Sequence, residues 1–229
     1  MDIKLLKQQA AEKAVEFVKP GMVVGLGTGS TAIFAIYKIG QLLKDGILKN
    51  ITGVPTSVAS ENEAKKLGIP LAGLDEQPVI DITIDGADEV DDDLNLIKGG
   101  GGAHLREKVV AQASKKLIIV CDDSKISHKL GEKFYVPVEV IPFAEKTVKE
   151  YLVKLGAKVS VRKKADGSAF ISDEQNLILD ATFGIIENPV ELSAKLKEKA
   201  GVVEHGLFTG LTSLVIVASP DGIKTLGKY

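Results

Sequence analysis

The chain has 229 residues, enough for one large or two modest domains, and 45% of them are hydrophobic, which excludes a disordered chain and allows a sizeable core. Its 29 Lys and Arg against 31 Asp and Glu leave a formal charge of -2, so no long-range field draws nucleic acid or an anionic membrane. The single cysteine, Cys121, excludes an internal disulfide and fits a reducing compartment. Leu5, Leu6, Ala10, Ala14, Phe17 and Val18 recur at helical spacing, and Lys19-Pro20-Gly21 ends that helix before a strand at 22–26. Ser30 or Thr31 opens a second helix through Ile33, Ile36, Ile39 and Leu43, closing near Gly46. Apolar runs predict buried strands at 51–54, 79–84 and 117–121, the last ending in a buried Cys121, with helices near 57–67 and 103–113. Alternating strands and helices imply a parallel sheet covered on both faces.

The pattern changes after about Gly131. A strand at 135–140 precedes a helix through Thr147, Tyr151 and Leu155, then a strand at 158–163 and a turn at Ala165-Asp166-Gly167. The second half of 169–183 gives another strand, a helix starts at Asn188-Pro189, and a strand runs over 202–207. The order βαββαβ is that of the ferredoxin-like split motif. The tail from Thr212 to Lys224 has the apolar run of one more parallel strand and is expected to return to the first domain. The expected architecture is therefore α/β: a Rossmann-like domain of residues 1–130 plus 208–229, and a smaller α+β domain of residues 131–207. The first 20 residues lack a secretory apolar segment, and no stretch approaches the ~18 apolar residues of a membrane span, so a cytoplasmic location is expected.

Ligands of open α/β sheets bind beyond the carboxyl ends of the strands, and four polar segments occupy such positions. The first, Gly27-Thr28-Gly29-Ser30-Thr31, fails the dinucleotide fingerprint: counted from Gly25 its last glycine position holds Ser30. Counted from Gly27 that position holds Ala32, which the looser pattern allows, but no ribose-binding acid follows the next strand. The P-loop pattern is absent as well. Two readings stand: a loop whose backbone N–H groups and helix N-terminus hold phosphate, or a tight turn with Ser30 or Thr31 as a helix cap. The second segment brings Asp85, Asp88, Glu89, Asp91, Asp92 and Asp93 within nine residues. An EF-hand fails on Leu96 and Gly102, so Asp91 to Asp93 read as solvated turn acids, whereas Asp85 and Asp88 flank Gly86 directly after a buried strand.

In the third segment Gly99 to Gly102 lie between Lys98 and a helix carrying Glu107. Four glycines cost entropy to order, which favours close approach to a ligand, and Glu107 has two readings: a base kept ionised by its early helix position, or a routine acid near a helix start. The fourth, Asp122-Asp123-Ser124-Lys125, offers Lys125 as a point charge. No zinc spacing or nucleophile elbow is present, and His104 reads as a partly exposed histidine at a helix start.

Taken together, the motifs VGLGTGST, TIDGADEVD, LIKGGGGAHLREK and DDSK resemble, in order and spacing, those of the A-type ribose-5-phosphate isomerases. The resemblance covers essentially the whole chain, the split domain included. It implies an aldose-ketose isomerase of the non-oxidative pentose phosphate pathway that works through a cis-enediol, with Glu107 as the proton-transferring base. Asp85, Asp88 and Lys98 would assist catalysis, and Thr28, Gly29, Ser30, Thr31, Asp85, Gly86, Ala87, Asp88, Lys98, Gly99, Gly100, Gly101 and Lys125 would line the substrate. Lys7 matches the family only loosely and stays outside this set. The resemblance further implies a small sugar-phosphate substrate and a homodimer or homotetramer; moving a proton within one sugar needs no metal or redox cofactor, and the balanced charge leaves no nucleic-acid or membrane partner expected. Two other classes compete. A sugar-phosphate sensor would need a helix-turn-helix for which the chain has no spare length, and a CoA transferase would form a covalent carboxylate adduct.

Overall fold

The computed structural model describes residues 2–229. In chain order it begins with α1 (Ile3–Val15), β1 (Val23–Leu26), α2 (Ala32–Lys44), β2 (Thr52–Pro55), α3 (Val58–Lys66) and β3 (Ile82–Gly86). Next come β4 (Glu89–Val90), β5 (Leu96–Ile97), α4 (His104–Gln112), β6 (Leu117–Asp122), β7 (Val136–Val140), α5 (Glu145–Lys154) and β8 (Lys158–Val161). The chain closes with β9 (Leu177–Thr182), α6 (Pro189–Glu198), β10 (Val202–His205), β11 (Leu207–Phe208), β12 (Leu214–Ser219) and β13 (Gly222–Gly227). Two compact units result: one of residues up to Ala87 with Arg106–Ser124 and Leu211–Tyr229, the other of Asp88–Leu105 and Lys125–Gly210.

The first unit is built on a six-stranded sheet in the order β13-β12-β6-β3-β1-β2, parallel except for β13. β6 and β12 are buried along their whole length, as a sheet covered on both faces requires. One face packs α1 and α2 over Val24, Leu26, Ile82, Ile84, Ile118, Val120 and Ile216; the other brings Val110 of α4 against Val54 and Ile80. α2 lies down on the sheet because Ala32, Ala35, Ile36, Ile39 and Gly40 fall on one stripe and are buried. Numbered along the chain, the five parallel strands stand in the order 2-1-3-4-5, so the winding reverses between β1 and β3. The crevice beyond the carboxyl ends of those two strands is where such a sheet binds its ligand.

β13 is a difference from the expected single tail strand. Ser219-Pro220-Asp221-Gly222 is a turn, with the Asp221 N–H on Ser219 Oγ and Gly222 at φ +117°, and it folds β13 back antiparallel on β12.

In the second unit a four-stranded antiparallel sheet has the order β10-β7-β9-β8, the ferredoxin-like order expected from the sequence. Val148 and Leu152 of α5 and Leu196 of α6 pack with Val136, Val138, Val140 and Leu179 in one core. Asn188 caps α6 by accepting the Glu191 N–H at 3.1 Å, with Pro189 at the first helical position. The predicted strand 202–207 is broken at Gly206: β10 stays in this sheet, while β11 leaves it to pair with β5, which also pairs with β4. That three-stranded sheet carries residues 88–105 into the second unit, whereas the expected division fell after 130 and after 207.

Candidate active site

At the switch point of the first unit, the loops after β1 and β3 are tied together. Gly27 N–H donates to the Ile84 carbonyl at 3.0 Å, and Asp85 Oδ1 accepts the N–H groups of Thr28 at 2.9 Å and Gly86 at 2.8 Å. Only glycine fits at position 27, since a side chain there would meet Asp85 Oδ1 and the Ile84 carbonyl at 2.4 Å. Gly29 turns the loop at φ +106°, leaving Gly29 and Ser30 exposed at the start of α2. Thr31 stands at the N-cap of α2, yet its side chain makes no capping bond. The cap reading of these hydroxyls therefore fails for Thr31, and Ser30 Oγ instead accepts Lys7 Nζ at 3.0 Å. The helix N-terminus, an unengaged Thr31 cap and a lysine beside Ser30 together favour an anion.

Sequence reasoning missed a support for this loop. Thr28 Oγ1 lies 2.7 Å from both Thr56 Oγ1 and Ser57 Oγ, and Ser57 caps α3 by accepting the Ser60 N–H at 3.0 Å. The signal was Ser57 between an apolar strand and a helix with Ser60 three positions on, the N-cap and N3 positions of a capping box.

Glu107 belongs to the same unit. It sits in the first turn of α4 and is 4% exposed. Val110, one turn on along the same helix face, packs over Gly25 of β1, where a side chain would meet Val110 Cγ1 at 2.9 Å. Because α4 follows β3 and leads into the parallel β6, its N-terminus lies at the carboxyl edge of the sheet. Glu107 is thus a buried carboxylate at that edge.

The second unit holds Asp88 and the glycine run. Gly100 N–H donates to Asp88 Oδ2 at 2.7 Å, and Asp88 N–H donates to the Ile97 carbonyl at 2.9 Å. Lys98 is 2% exposed, with its N–H on the Gly206 carbonyl at 2.9 Å and its ammonium 5.6 Å from the centre of the Phe208 ring. Lys125 is half-buried at the end of a 3-10 turn, Asp123–Lys125, directly before Ile126, which bridges Val90 of β4. Ala87 and Asp88 are consecutive residues, so the Asp85 to Asp88 segment passes from one unit into the other.

Two expectations need correction. His104 is fully buried rather than partly exposed, with Nε2 3.9 Å from Glu139 Oε2 and its ring against Gly99. Asp91 is a buried acid rather than a solvated one: it closes the β4–β5 turn by accepting the N–H groups of Asp93 and Asn95 and the Asn95 amide. Burial pushes its carboxyl above the ordinary aspartate range despite those three bonds. Asp92 and Asp93 are exposed as expected. Among the described residues, no group of three or more His, Cys, Asp or Glu is placed to hold a metal ion.

A glycine loop at a helix N-terminus, set at the switch point of a doubly wound sheet with a buried carboxylate at the same edge, is the arrangement of a protein class that takes small phosphorylated ligands. The comparisons specify it further. The family model of ribose 5-phosphate isomerase A (phosphoriboisomerase A) matches residues 52–222. The chain is 61% identical to ribose-5-phosphate isomerase A of Desulfatibacillum aliphaticivorans over 221 residues, 96% of each chain. A D-ribose-5-phosphate isomerase solved in complex with phospho-erythronic acid superposes with a TM-score of 0.97 at 39% identity over the whole of both chains. The enzyme of Methanocaldococcus jannaschii gives 0.94 at 41% identity, covering 99% of this chain and all of that one. The chain belongs to the ribose 5-phosphate isomerase A family.

Proposed function

We propose that the chain interconverts D-ribose 5-phosphate and D-ribulose 5-phosphate through a cis-enediol, in the non-oxidative pentose phosphate pathway. Family membership carries the reaction. The observation that carries the assignment of the base is the buried carboxylate of Glu107 in the first turn of α4. Aldose and ketose are isomers, so no redox equivalent enters: a proton leaves C2, one returns to C1, and hydroxyl protons shift alongside.

Glu107 carries the carbon proton both ways. The protein around it excludes water from competing for the proton. The Lys98 ammonium stabilises the charge that develops on the enediolate oxygens, and Asp85 and Asp88 orient the hydroxyl groups that exchange protons. The loop from Thr28 to Thr31 holds the phosphate through its amides and hydroxyls, and Lys7 adds positive charge there through its contact with Ser30. Gly86, Ala87 and Gly99 to Gly101 let backbone approach the sugar, and Lys125 contacts it. Phospho-erythronic acid, the compound in the solved relative's complex, makes the same demands: phosphate at one end and paired oxygens at the other.

No helix among the described residues is long and apolar enough to cross a membrane. We place the protein in the cytoplasm as a homodimer or homotetramer without a nucleic-acid partner; light scattering that finds only monomer at working concentration would contradict the assembly. The reaction is tested by coupled assay of ribulose 5-phosphate formation in the presence of EDTA. Turnover that persists in chelator is the expected result. No turnover by folded protein, or turnover abolished by chelator and restored by one metal, refutes the reading.

A further inference from the structure

Arg162 lies just beyond β8, outside every motif of the sequence, and is 8% exposed. Its guanidinium sits between two rings, 5.7 Å from the centre of Tyr135 and 5.8 Å from that of Phe170. Nε and Nη2 engage the Asp180 carboxylate of β9 at 2.5–3.2 Å. Nη1 donates to two successive carbonyls of the glycine run, Gly99 at 2.7 Å and Gly100 at 3.0 Å. Burying an ion pair is a poor route to stability, because desolvation offsets most of its attraction. What this pair does have is geometry.

The carbonyl of Gly99 and the N–H of Gly100 belong to one planar peptide unit and point in opposite directions. Arg162 fixes the oxygen side of that unit; the N–H side donates to Asp88 Oδ2 at 2.7 Å. Turning the peptide by a few tens of degrees would break both bonds together. A cation on the carbonyl also polarises the amide and makes its N–H a better donor. The remaining surroundings leave the loop little alternative: Gly99, at φ +101°, packs on His104, and Phe170 closes on Gly102, where a side chain would meet its ring at 2.5 Å.

We propose that Arg162, held by Asp180, is a positioning residue of the isomerase: it aims the Gly100 amide at Asp88 and sets the backbone immediately after Lys98. The proposal rests on the isomerase reading above. A lysine cannot replace it, since one ammonium does not span the carboxylate fork and two carbonyls at once.

The test uses Arg162→Lys and Arg162→Met, each measured for kcat, KM, thermal melting and amide hydrogen exchange of the peptide containing Gly100. A hydrogen bond to a charged group is worth on the order of tenfold or more in rate, so kcat should fall about tenfold or more in both variants. KM should stay within a few-fold, and the Gly100 amide should exchange faster while β7 and β9 stay protected. Parent-like kcat in folded Arg162→Lys overturns the proposal, as does a rise in KM at unchanged kcat. Failure of both variants to fold assigns Arg162 to stability and overturns it too. If the parent enzyme itself does not isomerise ribose 5-phosphate, the functional reading falls, and the exchange data still decide whether Arg162 fixes the Gly100 peptide.

Discussion

Replacing Gly100 with alanine puts a methyl group where the Asp88 carboxylate now stands. The added Cβ would lie 2.7 Å from Asp88 Oδ1 and 3.1 Å from Oδ2 and Cγ. Gly100 has no positive φ, so the backbone accepts alanine without strain, and the obstacle is the end of a side chain that can rotate away. Rotation gives up the 2.7 Å bond from Gly100 N–H to Asp88 Oδ2. A bond to a charged group contributes about 1.5–3 kcal/mol. If Asp88 is needed in place at the transition state, that converts to a loss of roughly ten- to a hundredfold in kcat, at about 1.4 kcal/mol per factor of ten. Stability moves less, because alanine also removes about 0.4–1 kcal/mol of unfolded-chain entropy, leaving a net loss of about 0.5–2.6 kcal/mol and a Tm lower by about 1–10 °C for a chain of this size. Gly101→Ala supplies the comparison for the melting curve only, as nothing in the protein lies within 4 Å of its added methyl while the residue itself belongs to the substrate-lining run. The assay is the coupled initial rate with a parallel melting curve. Parent-like kcat and KM in folded Gly100→Ala would refute the role given to the Gly100 amide and Asp88.

Thr31→Ala removes a hydroxyl that caps nothing, so α2 should melt as before while KM for the phosphorylated sugar rises about tenfold, the worth of one hydrogen bond to a charged group. An unchanged KM takes that hydroxyl out of the phosphate site. Asp81 supplies a pH test of the frame: the bond from Lys115 Nζ at 2.7 Å, and then the Val23 N–H at 2.9 Å, hold its carboxyl below the ordinary aspartate range. A carboxyl whose pKa is lowered by folding stabilises the protein above its unfolded value and loses that contribution as pH falls through the folded one. Asp81→Asn should therefore lower Tm at neutral pH, with the gap to the parent closing below about pH 4. A gap that is constant with pH contradicts the pairing.

The parallel sheet was legible because each of its strands is a short apolar run: β1, β2, β3, β6 and β12 all fall on predicted strands, the observed β3 starting three residues after the predicted one. The ferredoxin-like order was equally plain, with Asn188-Pro189 marking the start of α6. β4, β5 and β11 were not legible, since two residues carry no periodicity and the pairing of β5 with β11 joins positions over a hundred apart in sequence. β13 alternates no apolar face toward a core and is mostly exposed, so only its turn residues announced it. The glycine, aspartate and glutamate positions of the candidate site stood out by residue type. His104, Asp91 and Arg162 did not, because their surroundings are made by other elements: Glu139 of β7 for His104, the β4–β5 turn for Asp91, Asp180 of β9 and two rings for Arg162. Burial of a polar side chain is a property of the neighbours it meets, and the local sequence names few of them.

Whether Glu107 moves the carbon-bound proton is decided by Glu107→Gln. Glutamine keeps the size and hydrogen-bonding capacity of the side chain and cannot accept the proton. The two quantities are kcat by coupled assay and the affinity for phospho-erythronic acid by calorimetry. With Glu107 as the base, kcat falls by at least the ~10²–10⁴-fold typical of a positioned general base, while the analogue binds within a few-fold of the parent affinity. Near-parent turnover by folded Glu107→Gln would place the base elsewhere, and a parent protein that binds the analogue yet never isomerises ribose 5-phosphate would make the chain a sugar-phosphate binder instead of an enzyme.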